Sequence, residues 1–184
     1  EEQNSIRRDL LVQPIIPKSP VKPEAFPVYL ESPEKIYVPR YYGLEKLGIP
    51  TIKITKGEAI DINFNGKLRD YQENIVDKFI NYVTKSEMIG GGLIDIPCGR
   101  GKTVIAIKIL TLLKRKTLII VHKEFLLNQW IERIKEFCPE AKIGQIQGQI
   151  IDVDGKDIVI GMLQSLSMKE YPQDQFKIFG LTIF

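Results

Sequence analysis

The stretch that most constrains this 184-residue chain is Gly92-Leu-Ile-Asp-Ile-Pro-Cys-Gly-Arg-Gly-Lys-Thr103. It sets a glycine-rich turn between an apolar run, expected as a strand over 92–96, and an apolar segment expected as a helix over 102–113. Gly99 and Gly101 allow the backbone to curl successive N–H groups around one anion, and the helix starting near Lys102 adds the positive end of its dipole. In that arrangement Lys102 reaches the β and γ phosphates of a nucleotide, and Thr103 offers its hydroxyl to Mg²⁺. Pro97, Cys98 and Arg100 complete the loop. A loop that wraps phosphate needs backbone at those positions, so a catalytic thiol at Cys98 or an arginine finger at Arg100 is disfavoured, and Arg100 is expected to face solvent or an outer phosphate oxygen. Ile96 stands where the strict phosphate-loop spacing wants glycine, which excludes the pattern of many kinases and GTPases. The bland alternative, a structural glycine turn, does not account for the strand before it and the helix after it.

The remainder of the C-terminal two thirds repeats the same alternation. Asp70-x-x-Glu73 has the form of a capping box, and Ile75, Val76, Phe79, Ile80 and Val83 recur at three and four, which predicts an amphipathic helix. Strands are expected at 117–121, 142–146, 157–160 and 181–184, with a helix at 124–137 between the first two. Strands alternating with helices argue for a parallel sheet covered on both faces.

The first 65 residues read differently. Prolines at 14, 17, 20, 23 and 27 fall close to the three-residue repeat of a polyproline II strap, giving an extended arm or linker over 1–27. Pro14-x-x-Pro17 and Pro20-x-x-Pro23 also match ligands of proline-recognising domains, a weaker reading. Over 28–65, short runs such as Val28-Tyr29-Leu30, Ile36-Tyr37-Val38 and Thr51-Ile52-Lys53-Ile54 are broken by Pro and Gly, which suggests a small β-rich module. Arg40, Tyr41, Tyr42 and Lys46 form either a nucleic-acid-facing cluster or local core, with local core the better reading.

Composition excludes more than it selects. Hydrophobic residues at 43% and charged residues at 27% exclude wholesale disorder, and a net charge of +3 permits a nucleic-acid partner without requiring one. Two cysteines (Cys98, Cys138) and one histidine (His122) are too few for a usual zinc site. With no apolar run of membrane-spanning length and no signal-peptide pattern at the start, the expectation is a soluble intracellular protein without a membrane partner. Glu at position 1 and a strand-like end at Phe184 lead to the expectation of a fragment.

The loop from Pro97 to Thr103 resembles motif I of superfamily 2 helicases, in particular the branch of XPB-type repair helicases and the helicases of large DNA viruses. Leu68-Arg69-Asp70-Tyr71-Gln72 resembles that family's opening motif, whose Gln grips adenine. The run 118–123 with Leu126-Leu127-x-Gln129-Trp130 resembles motif Ia, and Ile158-Val-Ile-Gly-Met-Leu-Gln-Ser165 resembles a later backbone-binding segment. Gly180-Leu181-Thr182-Ile183-Phe184 looks like the strand leading into Asp-Glu-x-His. Val38-Pro39-Arg40-Tyr41-Tyr42-Gly43 is similar to the leader of viral members.

The resemblance implies a first RecA-like ATP-binding domain over 66–184, an α/β P-loop NTPase fold stopping before the Asp-Glu-x-His motif. It further implies ATP and Mg²⁺ as cofactors, with Arg69, Gln72 and the loop from Pro97 to Thr103 holding nucleotide, and a second RecA-like domain in the full-length chain. His122, Lys123, Gln164 and Ser165 would hold nucleic acid, DNA favoured over RNA, through phosphates at C-terminal strand ends. Gln72 suits the N6 and N7 edge of adenine, since one amide offers both donor and acceptor; a helix-surface Gln is the alternative. For His122 a strand-end packing role stands beside the functional one, and Gln129 and Trp130 read as helix packing. Residues 1–184 by themselves are expected to be inactive as an ATPase. A P-loop phosphotransferase would call for an arginine-rich lid after the loop, where Lys and apolar residues dominate. The remaining alternative is a nucleic-acid or partner-binding module with a vestigial loop.

Overall fold

The computed structural model describes residues 2–17, 22–51, 55–85 and 90–184. The chain divides into two compact units, Glu1–Lys53 and Ile54–Phe184.

The first unit is small. It opens with helix α1 (Glu2–Asp9), followed by β1 (Leu11–Val12), β2 (Phe26–Pro27), β3 (Leu30–Glu31), β4 (Ile36–Tyr37) and helix α2 (Arg40–Lys46). β1 pairs with β2, and β3 with β4, both antiparallel and two residues long. The proline-rich arm therefore closes back on itself between β1 and β2, although Pro20 lies outside the described residues. So does most of the strand expected at 51–54. Two helices also accompany the hairpins. Tyr41 and Tyr42 sit on α2, and the Tyr42 hydroxyl donates to Asp9 at 3.1 Å, tying α2 back to the end of α1. An ion pair joins Arg7 to Glu31. Two-residue ladders bury little on their own, and Leu11, Phe26, Leu30 and Tyr37 remain exposed.

The second unit carries the sheet. Its elements in order are α3 (Asp70–Thr84), α4 (Lys102–Leu113), β5 (Thr117–Val121), α5 (Glu124–Phe137), β6 (Ile143–Gln147), β7 (Ile150–Ile151), β8 (Ile158–Met162), α6 (Leu163–Met168), a 3-10 turn (Gln173–Phe176) and β9 (Leu181–Ile183). The strand order is β7-β6-β8-β5-β9. β6, β8, β5 and β9 run parallel, and β7 folds back antiparallel on β6 through Gly148.

The continuous apolar runs of β5 and β8 are explained by cover on both faces. Ile119, Val121, Ile158 and Ile160 face Ile107 and Leu110 of α4 and Leu127 and Ile134 of α5. Leu118 and Val159 point the other way, toward Ile146, Val153 and Phe179, with Leu166, Tyr171 and Phe176 beside them. α4 carries apolar residues on the two sides that it buries, and its Lys108 lies over the Phe64 ring. Its Ile105 and Ile109 pack on Val76 of α3 and on Leu68 just ahead of that helix, while Ile107 and Leu110 pack on the sheet. Full burial of an Ile or Leu side chain is worth about 1.5–3 kcal/mol, so these inner residues dominate the stability of the unit.

A strap at 55–62 runs along the N-terminal ends of the strands. Glu58 exchanges backbone bonds with Ile178 and Lys116, and Gly57 lies so close to Gly180 that a side chain there would strike backbone. Lys116, buried to all but 3% of its surface, has its ammonium paired with Glu58 at 3.0 Å.

Residues 92–96, expected as a strand, depart from that expectation. They have no sheet partner among the described residues, and Leu93 is almost fully exposed. A strand is defined by pairing as much as by side chains. Among the described residues β9, at the edge of the sheet, pairs only with β5, and a cavity of about 560 Å³ has walls from both Leu93 and Ile94 and from Leu181 and Ile183.

Candidate nucleotide and nucleic-acid site

The glycine loop is bent as its sequence requires. Gly99 and Gly101 both take the left-handed region, at φ +76° and +81°, so the chain reverses through Cys98 and Arg100 and enters α4 directly at Lys102. Around Gly99 there is open space, and only its φ calls for glycine; at Gly101 a side chain would also collide with the Gln72 amide. Lys102 is exposed at the first turn of α4, and among the described residues it has no ion-pair or hydrogen-bond partner. A cation at a helix N-terminus opposes the dipole, so the sequence accepts an unfavourable placement there. Bound phosphate would reverse its sign.

The loop is held from α3. Its N-cap is Arg69, one residue ahead of the Asp70 suggested by the sequence, and the residue that closes the box is Gln72 rather than Glu73. Gln72 Oε1 accepts from the Arg69 backbone N–H at 3.0 Å, and Gln72 Nε2 donates to the Arg100 carbonyl at 3.1 Å. Those two bonds fix which end of the amide is which, and Gln72 is only 7% exposed. One Nε2 hydrogen and one Oε1 lone pair are left over, the pair that an adenine edge would take. Tyr71 adds a third tie: its hydroxyl donates to the same Arg100 carbonyl at 3.2 Å, and the Arg100 guanidinium lies 5.7 Å from the centre of its ring. Arg69 Nη1 reaches the Tyr71 hydroxyl at 3.4 Å.

Pro97 and Cys98 are exposed beside the loop, and Thr103 is half-buried on the first turn of α4. Thr103 and Lys102 line the 560 Å³ cavity together with Ile105, Ile119, Trp130 and His122. Its walls are mostly apolar and cannot replace the hydration of a triphosphate. The polar surface suited to phosphate is the loop itself. The donor set for Mg²⁺ on this chain is small. No cluster of three His, Cys, Asp or Glu able to hold a metal occurs among the described residues, so a bound Mg²⁺ would rest on the Thr103 hydroxyl, phosphate oxygens and water.

The four residues expected to face nucleic acid gather at the C-terminal edge of the sheet. His122 and Lys123 are exposed where β5 ends, and Gln164 Nε2 donates to the His122 carbonyl at 3.0 Å, joining the ends of β5 and β8. Ser165 Oγ accepts from the Gly148 N–H at 2.9 Å, and the Tyr171 hydroxyl donates to the Ser165 carbonyl at 2.9 Å. Lys169 also donates to the Gly148 carbonyl, so the β6–β7 turn is pinned to α6. Trp130 is half-buried against the core, as a packing residue of α5, whereas Gln129, also expected to pack, is exposed on that helix. Tyr71 and Lys169 were not singled out by the sequence; Tyr71 lies inside the run 68–72, and its place next to Gln72 on the first turn of a helix was the available signal.

Residues 65–183 match the family described as type III restriction enzyme, res subunit. The "Putative ATP-dependent RNA helicase L396" of Acanthamoeba polyphaga mimivirus is 39% identical over 191 residues, covering 100% of this chain and 36% of that protein. The "Putative helicase 161L" of Invertebrate iridescent virus 6 is 31% identical over 132 residues, 70% of this chain and 29% of its own length. The "DNA 3'-5' translocase XPB2" of Sulfurisphaera tokodaii is 38% identical over 71 residues, 39% of this chain and 15% of its own. The chain thus spans about a third or less of the relatives it matches. No helix among the described residues is long and apolar enough to cross a membrane. With a parallel sheet, a glycine loop entering a helix and a match over most of its length, this chain belongs to the helicase family described as type III restriction enzyme, res subunit.

Proposed function

We propose that this chain is the ATP-binding part of an ATP-dependent helicase or translocase that moves along nucleic acid, DNA in preference to RNA. The observation that carries the proposal is the loop over 97–103, bent by two left-handed glycines onto the N-terminus of α4 with Lys102 exposed and unpaired among the described residues. Lys102 takes the β and γ phosphates, and the N–H groups around Gly99 to Lys102 hold the remaining charge. Gln72 receives the adenine edge with the amide hydrogen and lone pair that Arg69 and Arg100 leave unused. Arg69 and Arg100 flank Tyr71 and meet outer phosphate oxygens or solvent. Mg²⁺, when bound with ATP, neutralises charge as the phosphoryl bond breaks. Thr103 supplies its hydroxyl to that ion.

His122, Lys123, Gln164 and Ser165 grip the strand through its phosphates, a contact that does not read bases. DNA is favoured by the resemblance to the XPB branch and by the name of the Sulfurisphaera relative; the mimivirus relative, named for RNA, makes RNA the comparison arm. In the complete protein a second RecA-like domain closes over the nucleotide, and cycles of closing and opening drive steps along the strand. Residues 1–184 alone bind nucleotide weakly and turn over negligibly.

The test is titration of a non-hydrolysable ATP analogue into wild type and Lys102→Ala. At least a tenfold loss is expected in the variant. Equal binding favours the second reading, a binding module whose loop is vestigial. Robust nucleic-acid-stimulated hydrolysis by residues 1–184 would overturn the predicted inactivity.

A further inference from the structure

We infer that Tyr71 is a positioning residue for the phosphate loop, setting the loop's grip on the terminal phosphates without touching the base. This rests on the nucleotide reading of the loop. Because Gly99 and Gly101 on either side are left-handed, the Arg100 peptide is the apex of the turn, and its carbonyl points back at the first turn of α3, where two donors meet it. One donor is Gln72 Nε2 at 3.1 Å and the other the Tyr71 hydroxyl at 3.2 Å. A carbonyl oxygen has two lone pairs, and both are used. With the Arg100 carbonyl turned toward α3, the Gly101 N–H of the same trans peptide faces the opposite way, where an anion can take it.

The two donors do not have equal standing. Gln72 has a second partner in Arg69 and remaining capacity that a base would engage. The Tyr71 hydroxyl has its proton committed to Arg100, and its ring carries the Arg100 guanidinium at 5.7 Å. That cation–π contact holds the side chain of the apex residue while the hydroxyl holds its backbone. Tyr71 therefore constrains the loop with or without nucleotide, whereas Gln72 links the loop to the base.

Three probes separate these roles: inorganic tripolyphosphate, ATP and adenosine. Tyr71→Phe removes only the hydroxyl and is expected to weaken tripolyphosphate and ATP by the same factor, about three- to tenfold. Adenosine binding stays unchanged. Tyr71→Ala, which also removes the ring, weakens both phosphate ligands further. In the nucleotide-free protein, amide hydrogen exchange at residues 99–102 speeds up in Tyr71→Phe, while the amides of α3 beyond its first turn and the melting temperature stay as in wild type. An unchanged tripolyphosphate affinity and unchanged exchange at 99–102 overturn the assignment, as does a loss confined to ATP, which would put Tyr71 on the base. Lys102→Ala is the control for the underlying reading. If it leaves tripolyphosphate binding intact, the nucleotide reading fails, and the exchange measurement still decides on Tyr71 because it needs no nucleotide.

Discussion

Gln72 and Arg100, 28 positions apart, are joined by a 3.1 Å hydrogen bond from the side-chain amide to the loop carbonyl, and the same amide caps α3 through Arg69. Replacing Gln72 by Glu keeps the shape but turns the donor into an acceptor facing a carbonyl. The expected cost is about 1–3 kcal/mol in urea denaturation. ATP affinity should fall by more than tripolyphosphate affinity, because the base contact is lost along with the loop tie.

Gly101→Ala tests the turn itself. The left-handed φ of +81° costs an alanine about 1–2 kcal/mol, and the new Cβ meets the Gln72 amide. Gly99→Ala meets the same φ penalty in open space. Both variants should lose tripolyphosphate binding by calorimetry, with the larger drop in thermal stability at Gly101; equal melting temperatures would contradict the collision.

The two cysteines should behave oppositely. Burial pushes the Cys138 thiol up to about 11, with nearby Lys108 pulling weakly the other way. A group whose native pKa lies above its unfolded value stabilises fully below the unfolded pKa, and that contribution fades as pH rises through the native one. Stability should therefore decline between about pH 9 and 11, and Cys138→Ser should flatten that part of the curve. At pH 8 a thiol reagent should modify exposed Cys98 and spare Cys138. Tripolyphosphate should slow labelling of Cys98, and labelling at an unchanged rate would argue against an anion in the loop.

Lys123 is predicted to act as a phosphate contact. Lys123→Ala should weaken binding of single-stranded oligonucleotides regardless of sequence and reduce the slope of log affinity against log salt by about 1. A sequence-dependent loss, or an unchanged slope, would remove Lys123 from the proposed interface. DNA and RNA oligonucleotides of the same sequence, compared at one salt concentration, test the preference for DNA.

Leu110, fully buried where α4 meets the sheet, reports on the core rather than the site. Leu110→Ala should cost about 2–5 kcal/mol by urea denaturation. A loss under 1 kcal/mol would mean that α4 is not wedged between α3 and the sheet.

Much of the second unit was legible in the chain because local pattern and burial agree there. The alternation of apolar runs with amphipathic helices yields α3, α4, β5 and α5 at the expected positions, and β6, β8 and β9 within a residue or two. Gly99, Gly101 and Lys102 announce a turn onto a helix from residue types alone, since few other residues tolerate those φ values. The N-cap expected at Asp70 was off by one and lies at Arg69, because Asp70 and Gln72 both suit a first turn and only the Gln72 bond to Arg69 selects between registers. In the first unit, α1 and α2 were not foreseen, because helices of eight and seven residues carry too few turns for a periodic signal.

Which segments are apolar on one face or on two, and where glycine must bend the chain, were readable from residue types, because these depend on side chains and allowed φ values within a few residues. Only the folded chain sets the strand order β7-β6-β8-β5-β9, the meeting of Tyr71 and Gln72 on one carbonyl of the loop, and the lack of a sheet partner for residues 92–96 among the described residues. Each of those depends on which backbone hydrogen-bonding groups meet across distant parts of the chain, and an apolar run carries no record of its partner.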